Sequence, residues 1–381
     1  MAKFLGVRLL RAAVTLVVFQ TILFLLIHSL PWDYVSTVRG SSAVHQAMRA
    51  ALGLDRPVLV QYADWMRHFF TGDLGTSFLY RNVSVTNLIL DAVPRTLLMF
   101  LPGALLGFWL GISLGKTIAW RRGGWIELGG SLLGTAFFAS FPPWLAFTLI
   151  QVFAITLRWF PAENILSVNT WLGSEVPAET VIRALLMTFL TVGPCVVALA
   201  HMRVKSPWPR RLAIGLVASV AAVLWAGSGW LELGFDILWH LALPLATLVL
   251  LSFGETMLLM RSTMIDVLGE DHVLTARAKG IRDAWLRDRH IARLALLPVV
   301  SRFAVQLPLV LVGSFVLERI FAWRGLGMVL FQAIDFYDYP VILGVLSVLG
   351  IGLLLAHILV DVFVAWMDPR LRNGSVGLVR S

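Results

Sequence analysis

A single cysteine, Cys195, stands among 381 residues. One thiol excludes an intrachain disulfide framework and a thiolate metal cluster. Lying in an apolar run, it is expected to be a packing residue. Charge is scarce too: Asp, Glu, Lys and Arg make up 14% of the chain, against about a quarter in soluble domains. The histidines are scattered without ligand spacing, so no metal site is expected. There is no His-Glu-x-x-His and no pair of carboxylates within an apolar run, which points away from an intramembrane enzyme. Low-complexity segments and convincing internal repeats are missing as well.

What fills the chain is hydrocarbon. Hydrophobic residues make up 58% of it, and the mean hydropathy is +0.82. A soluble fold cannot hide that much apolar surface, so lipid must cover a large share. Eight apolar segments are long enough to span a bilayer, at 9–30, 96–118, 128–157, 181–202, 211–232, 238–260, 295–317 and 341–366. All are expected to be helices, because lipid offers no partner to an unpaired backbone group. The fold class is therefore all-α, a polytopic transmembrane helical bundle. Pro94, Pro244, Pro298 and Pro340 fall near expected helix starts, where proline is tolerated. Pro142-Pro143 falls inside the third segment and predicts a kink or a break. The first run, Ala12 to Leu30, has 19 residues. That is longer than the apolar core of a signal peptide, and no small-residue cleavage site follows, so it reads as a retained helix.

Lys and Arg exceed Asp and Glu by 31 to 22. On a soluble protein that excess suggests nucleic acid; on a membrane protein it marks cytoplasmic loops, and no nucleic-acid partner is expected. With both termini inside, the cytoplasmic pieces carry Lys3, Arg8 and Arg11, then Lys116, Arg121 and Arg122, then Arg203, Lys205, Arg210 and Arg211. Eight more lie between Arg261 and Arg302, and Arg370, Arg372 and Arg380 lie in the tail. Together these are 21 of the 31 basic residues. The opposite orientation leaves ten inside, so both termini are expected in the cytoplasm.

Several constellations stand out. Gly103, Gly107, Gly111 and Gly115 recur every fourth residue, forming one smooth helix stripe that admits a close neighbour. The neighbour is either a helix of the same chain, which packing favours, or a gate or subunit interface. The stripe ends Gly115-Lys116-Thr117, near a phosphate-binding loop, but three residues rather than four separate the last two glycines and no strand precedes them. Nucleotide binding by this chain is not expected. Glu255, His357 and Asp361 are ionisable groups at membrane depth. His357 and Asp361 are one turn apart on one face, either as a structural pair or as part of a proton relay. The stretch Val58 to Phe70 is amphipathic. Its Trp65, Phe69 and Phe70 lie either at the membrane interface or under a short helix that covers the bundle mouth. Finally, the basic loop from Arg261 to Arg293 contains Val273-Leu274-Thr275-Ala276-Arg277-Ala278-Lys279-Gly280-Ile281. It reads as a helix broken at Gly280, with a small-residue face at Thr275, Ala276 and Gly280 suited to a close partner. Attraction of a polybasic loop to lipid is the simpler alternative.

The Thr275–Gly280 run, followed by Leu297-Pro298, resembles the EAA loop of the inner-membrane permeases of dipeptide, oligopeptide and nickel ABC importers, of the type with a long first outer loop. Further stretches agree with that family: Leu52-Gly-Leu-Asp-Arg-Pro57, Gln61-Tyr62, Gly72-Asp73-Leu74-Gly75, Pro94-Arg-Thr-Leu97, Glu318-Arg-Ile-Phe-Ala-Trp323-Arg-Gly325-Leu-Gly327, Asp338-Tyr-Pro340 and Asp368-Pro-Arg-Leu-Arg372. Two positions depart from it. Leu274 replaces the acidic residue of the loop, and Arg324 replaces a usual proline. The resemblance implies six spans, so two helices within 161–237 are an expected insertion. The expected organisation is an N-terminal helix at 1–30, an extracytoplasmic loop at 31–95, core spans at 96–160, the inserted pair at 161–237, and core spans at 238–373 with a coupling loop at 261–294. A loose tail follows at 374–381.

The resemblance also implies the function: half of a pore in a prokaryotic plasma (inner) membrane. A second homologous permease, two cytoplasmic ATPase subunits and an extracytoplasmic solute-binding protein are the implied partners, with membrane lipid around them. No cofactor is expected in this chain; ATP and Mg belong to the ATPase subunits, which residues 273–281 would contact. Asp73, Trp323, Gly325, Gly327 and Asp338 would belong to loops facing the binding protein. Peptide is the implied cargo, with oligosaccharide or nickel as alternatives. A proton-coupled secondary transporter is the rival class.

Overall fold

A computed structural model describes residues 2–29, 34–38, 41–80, 83–121, 123–201 and 207–367. Among them the protein is helical, with a single isolated bridge, Thr76 to Ser84, and no strand. Six helices are long and apolar enough to cross a membrane: Arg8–His28, Val85–Trp120, Ala178–Val196, Leu231–Leu268, Asp283–Leu307 and Tyr339–Ile358. A bent pair makes up to seven. The fifth expected segment, 211–232, is interrupted. The helix Pro207–Gly227 stops before Gly229, whose φ is +73°, and the next helix starts at Leu231.

Pro340 is the second residue of the helix Tyr339–Met367, as expected, but the other three prolines correct the expected helix starts. Pro94 lies inside Val85–Trp120 and Pro244 inside Leu231–Leu268, while Pro298 lies within Ala292–Ile320. The first two of these helices begin well over a turn ahead of the lipid-compatible run and the third less than a turn ahead of it. Pro142-Pro143 behaves as the sequence predicts. The helix Trp125–Phe138 ends, Phe141 is extended as a residue before proline prefers, and Pro142 opens the next helix. The two segments, Trp125–Phe138 and Pro142–Thr156, meet at 105°.

The chain divides into two compact units. One comprises Met1–Leu90, Asp288–Val312 and Val329–Ser381. In it the first helix packs against both the last helix, Tyr339–Met367, and the amphipathic helix Val58–Thr71. Two hydrogen bonds join these helices: Ser347 Oγ donates to Gln20 Oε1 at 3.0 Å, and Thr21 shares a 2.8 Å hydrogen bond with Tyr62. Trp65 is buried and Phe70 is 65% exposed, so of the expected interfacial aromatics the indole instead turns inward.

The other unit comprises Asp91–Arg287 and Gly313–Met328. The long helix Leu231–Leu268 packs there against Trp125–Phe138, Pro142–Leu149 and Ala178–His201. Ala178–His201 and Pro207–Gly227 pack together, and Trp225 Nε1 donates to Thr188 Oγ1 at 3.0 Å. Arg95 pairs with Glu179, and Arg183 with Asp91 at 2.7 Å, which ties Ala178–His201 to Val85–Trp120. Asp236 accepts from the Ser167 backbone N–H, the Ser167 hydroxyl and Trp171 Nε1 at 2.7–3.0 Å. Cys195 is exposed on its helix, not packed in a core as expected, because the helix turns that face outward.

Candidate functional site

The long helix Leu231–Leu268 leads out of the apolar layer into the basic loop. Gly269 and Glu270 turn the chain, and a short helix follows over Asp271–Ala278. It closes by a left-handed glycine cap. Gly280 has φ +73°; its N–H donates to Arg277 O at 2.9 Å, and the Ile281 N–H donates to Ala276 O at 3.3 Å. These are the paired bonds that end a helix when the residue past the cap adopts the left-handed conformation, which glycine takes without strain. Val273 is fully buried and anchors the helix, whereas Leu274 is 61% exposed. Thr275, Arg277, Ala278, Lys279 and Gly280 are exposed; Ala276 and Ile281 are half-buried. The small-residue face read from the sequence is thus only partly outward at Ala276, and the free surface shifts toward Leu274, Arg277 and Ala278. Beyond it, Leu286 and Ile291, in a π-helical turn, are fully buried and anchor the return.

The glycine stripe faces the same long helix. A Cβ on Gly103 would meet Leu248 Cβ at 2.9 Å; one on Gly107 would fall on Ser252 Oγ; one on Gly111 would stand 2.7 Å from Phe253 O; one on Gly115 would stand 2.7 Å from Met257 O. The four glycines therefore set the separation of two helices of this chain. Gly111-Ile-Ser-Leu-Gly115 also carries the spacing of a hydrolase nucleophile motif, but Ser113 sits in mid-helix with its hydroxyl on Trp109 O at 2.8 Å. That motif needs a strand-to-helix turn.

The loop residues singled out by sequence are mostly internal. Trp323 is fully buried, and its Nε1 donates to Arg95 O at 2.9 Å. Glu318, also fully buried, accepts from Thr96 Oγ1 at 2.6 Å and from the Gly327 N–H at 2.7 Å. The Leu326 N–H donates back to Thr96 Oγ1 at 2.8 Å. Gly325 and Gly327 are buried, and a Cβ on either would come within 2.5 Å of Glu318 Oε1 or Phe315 Cα respectively. Asp338, fully buried, accepts from Ser77 Oγ at 2.5 Å and from the backbone N–H groups of Phe78 and Leu79 at 3.1 and 3.0 Å. Of this set Asp73 alone is exposed. The others hold their loops in shape; exposed neighbours such as Arg324 form the surface. The Thr96–Glu318 and Ser77–Asp338 pairings join residues more than two hundred positions apart, so spacing gave no sign of them. The partnered hydroxyl, Thr96, lay within a quoted motif without an assigned role.

Of the expected relay groups, Glu255 is half-buried in the long helix and His357 is exposed, its Nδ1 2.8 Å from Leu353 O. The side chain of Asp361 and the basic residues Arg203, Lys205, Arg370, Arg372 and Arg380 lie outside the described residues. No group of three or more metal-ligating side chains occurs among the described residues.

These features define a class: a multi-span helical protein whose longest span runs into a short, glycine-capped helix between two membrane segments. The family follows from sequence comparison. Residues 103–373 match the binding-protein-dependent transport system inner membrane component family, and residues 1–100 match the N-terminal membrane component of the same systems. The chain belongs to this family and is a multi-pass inner-membrane component of a transport system, not itself catalytic. A Brucella suis protein named as a peptide permease is 30% identical over 374 residues, covering 96% of this chain and 97% of its own. The glutathione transport system permease protein of Salmonella typhimurium is 29% identical over 370 residues, with the same coverage. The oligopeptide transport system permease protein AppB of Bacillus subtilis is 28% identical over 321 residues, covering 84% of this chain and 82% of its own.

Proposed function

We propose that the chain forms half of the pore of an ATP-driven importer for peptides, with a second homologous permease supplying the other half. Two cytoplasmic ATPase subunits bind ATP and Mg and dock on the exposed side of Asp271–Ala278. An extracytoplasmic solute-binding protein delivers cargo. The observation that carries this reading is the short helix itself. It is anchored by buried Val273, capped by Gly280, and presents Leu274, Arg277 and Ala278 outward. A rigid knob on the end of a long membrane helix transmits a push from a motor as a rigid-body movement, the form of change by which alternating access proceeds. Peptide cargo is supported by the names of the relatives; oligosaccharide and nickel are alternatives within the class. Both termini are cytoplasmic in this reading, with eight spans and the inserted pair between 161 and 237.

The 105° break at Pro142 favours a second reading, since discontinuous helices mark many secondary transporters. Family membership speaks for the ATP-driven one. Purification in mild detergent separates them. The tagged chain is expected to bring an ATPase subunit and a second permease with it; a chain that consistently emerges alone refutes the importer reading.

A further inference from the structure

One cleft is left unused by the transport reading. It holds about 560 Å³ and is lined by Gly124, Trp125, Glu127, Leu128, Ser131 and Arg261, among others. Two of its donors are buried without a hydrogen bond: Arg261 Nε and the Ser131 hydroxyl. Buried polar groups are paired as a rule, so two such donors in side chains that line a cleft mark a place for acceptor oxygens once those side chains turn toward it. Arg261 is held in place by an ion pair with Glu127. The other Glu127 oxygen accepts from the Gly123 N–H at 2.6 Å. Within the cleft the charges therefore cancel, which suits a ligand carrying acidic oxygens without a large excess of charge.

The surroundings specify what else that ligand carries. Trp125 is 88% exposed, Leu128 53% and Leu132 62%. They are three and four residues apart, so they form one stripe leading from the cleft along the helix Trp125–Phe138. Tryptophan favours the level of lipid headgroups, and leucines beyond it suit acyl chains. Arg121, exposed and just ahead of the cleft in sequence, adds attraction for a phosphate.

We propose that this cleft holds the headgroup of a glycerophospholipid, with phosphodiester oxygens on Ser131 and Arg261 and an acyl chain along Trp125, Leu128 and Leu132. Arg261 lies near the end of the helix that runs into the Asp271–Ala278 segment, so the lipid would brace the base of that helix. The proposal rests on the inner-membrane location and not on the identity of motor or cargo.

The test uses the assembled transporter in nanodiscs of phosphatidylethanolamine and phosphatidylglycerol, with Leu132→p-benzoylphenylalanine as a photo-crosslinker and mass spectrometry of the adduct. A phospholipid adduct is expected. Adding Ser131→Ala or Arg261→Lys should lower its yield about threefold, the loss of one ordinary hydrogen bond. Ser131→Ala removes one oxygen from a half-buried side chain, so it carries the test even if Arg261→Lys disturbs assembly. An unchanged yield in Ser131→Ala means bulk lipid only and overturns the proposal. A polypeptide adduct overturns it in favour of a protein interface.

Discussion

Alanine at Gly111 places a methyl group 2.6 Å from Thr256 Cβ and 2.7 Å from Phe253 O. Ordinary contact needs about 3.5 Å, so the two helices must part by most of an ångström. The Phe253 oxygen is backbone and cannot rotate aside. Overpacking of this kind costs about 1–3 kcal/mol. Alanine also gains about 1 kcal/mol of helix propensity over glycine, which offsets part of the strain. The net expectation is a destabilisation of about 0–2 kcal/mol. Gly129 supplies the control, because nothing lies within 4 Å of a Cβ there. Gly129→Ala should be neutral or stabilising by up to about 1 kcal/mol. The assay is reversible unfolding in mixed micelles under a titration of denaturing detergent, with both variants measured side by side. Equal effects of the two substitutions would refute the claim that the stripe sets the helix separation within this chain.

Other outcomes follow from the buried loop contacts. Thr96→Val keeps the shape but leaves Glu318 and the Leu326 N–H each short of a partner; the same unfolding assay should show a loss of about 2–5 kcal/mol, with Thr96→Ser much closer to the parent. Asp338→Ala removes the acceptor shared by Ser77, Phe78 and Leu79, and limited proteolysis should then cut within residues 72–84 faster than in the parent. Gly280→Trp enters open space with a strained left-handed backbone, at about 1–2 kcal/mol. The chain should still reach the membrane, while recovery of the ATPase subunit in pull-downs should fall below detection.

Some of this was legible in the residues alone. Four-residue glycine spacing shows a close helix contact because only the helical period puts those positions in line, and a Pro-Pro pair inside an apolar run interrupts the helix there because neither residue can extend it from the preceding turn. The extents of helices were less legible. Val85–Trp120 and Leu231–Leu268 run well past 96–118 and 238–260, since hydropathy marks lipid contact and not the end of backbone hydrogen bonding. The loop residues were found, but not which way their side chains face. Trp323, Gly325, Gly327 and Asp338 stood out by their motifs, yet all are buried. A motif records that a residue is needed without saying whether it faces inward. The Thr96–Glu318 and Ser77–Asp338 contacts depend on chain segments brought together only by the fold.

The most direct measurement of the central claim is a disulfide crosslink at the short helix. In a Cys195→Ser background, Arg277→Cys places a single exposed thiol on the proposed docking face. Paired with cysteines along the surface groove of the co-expressed ATPase subunit, it should crosslink rapidly, and the yield should change with ATP. A chain that is inserted and stable, yet forms no crosslink to the ATPase subunit from Arg277→Cys or from an equivalent thiol at Leu274, would contradict the account.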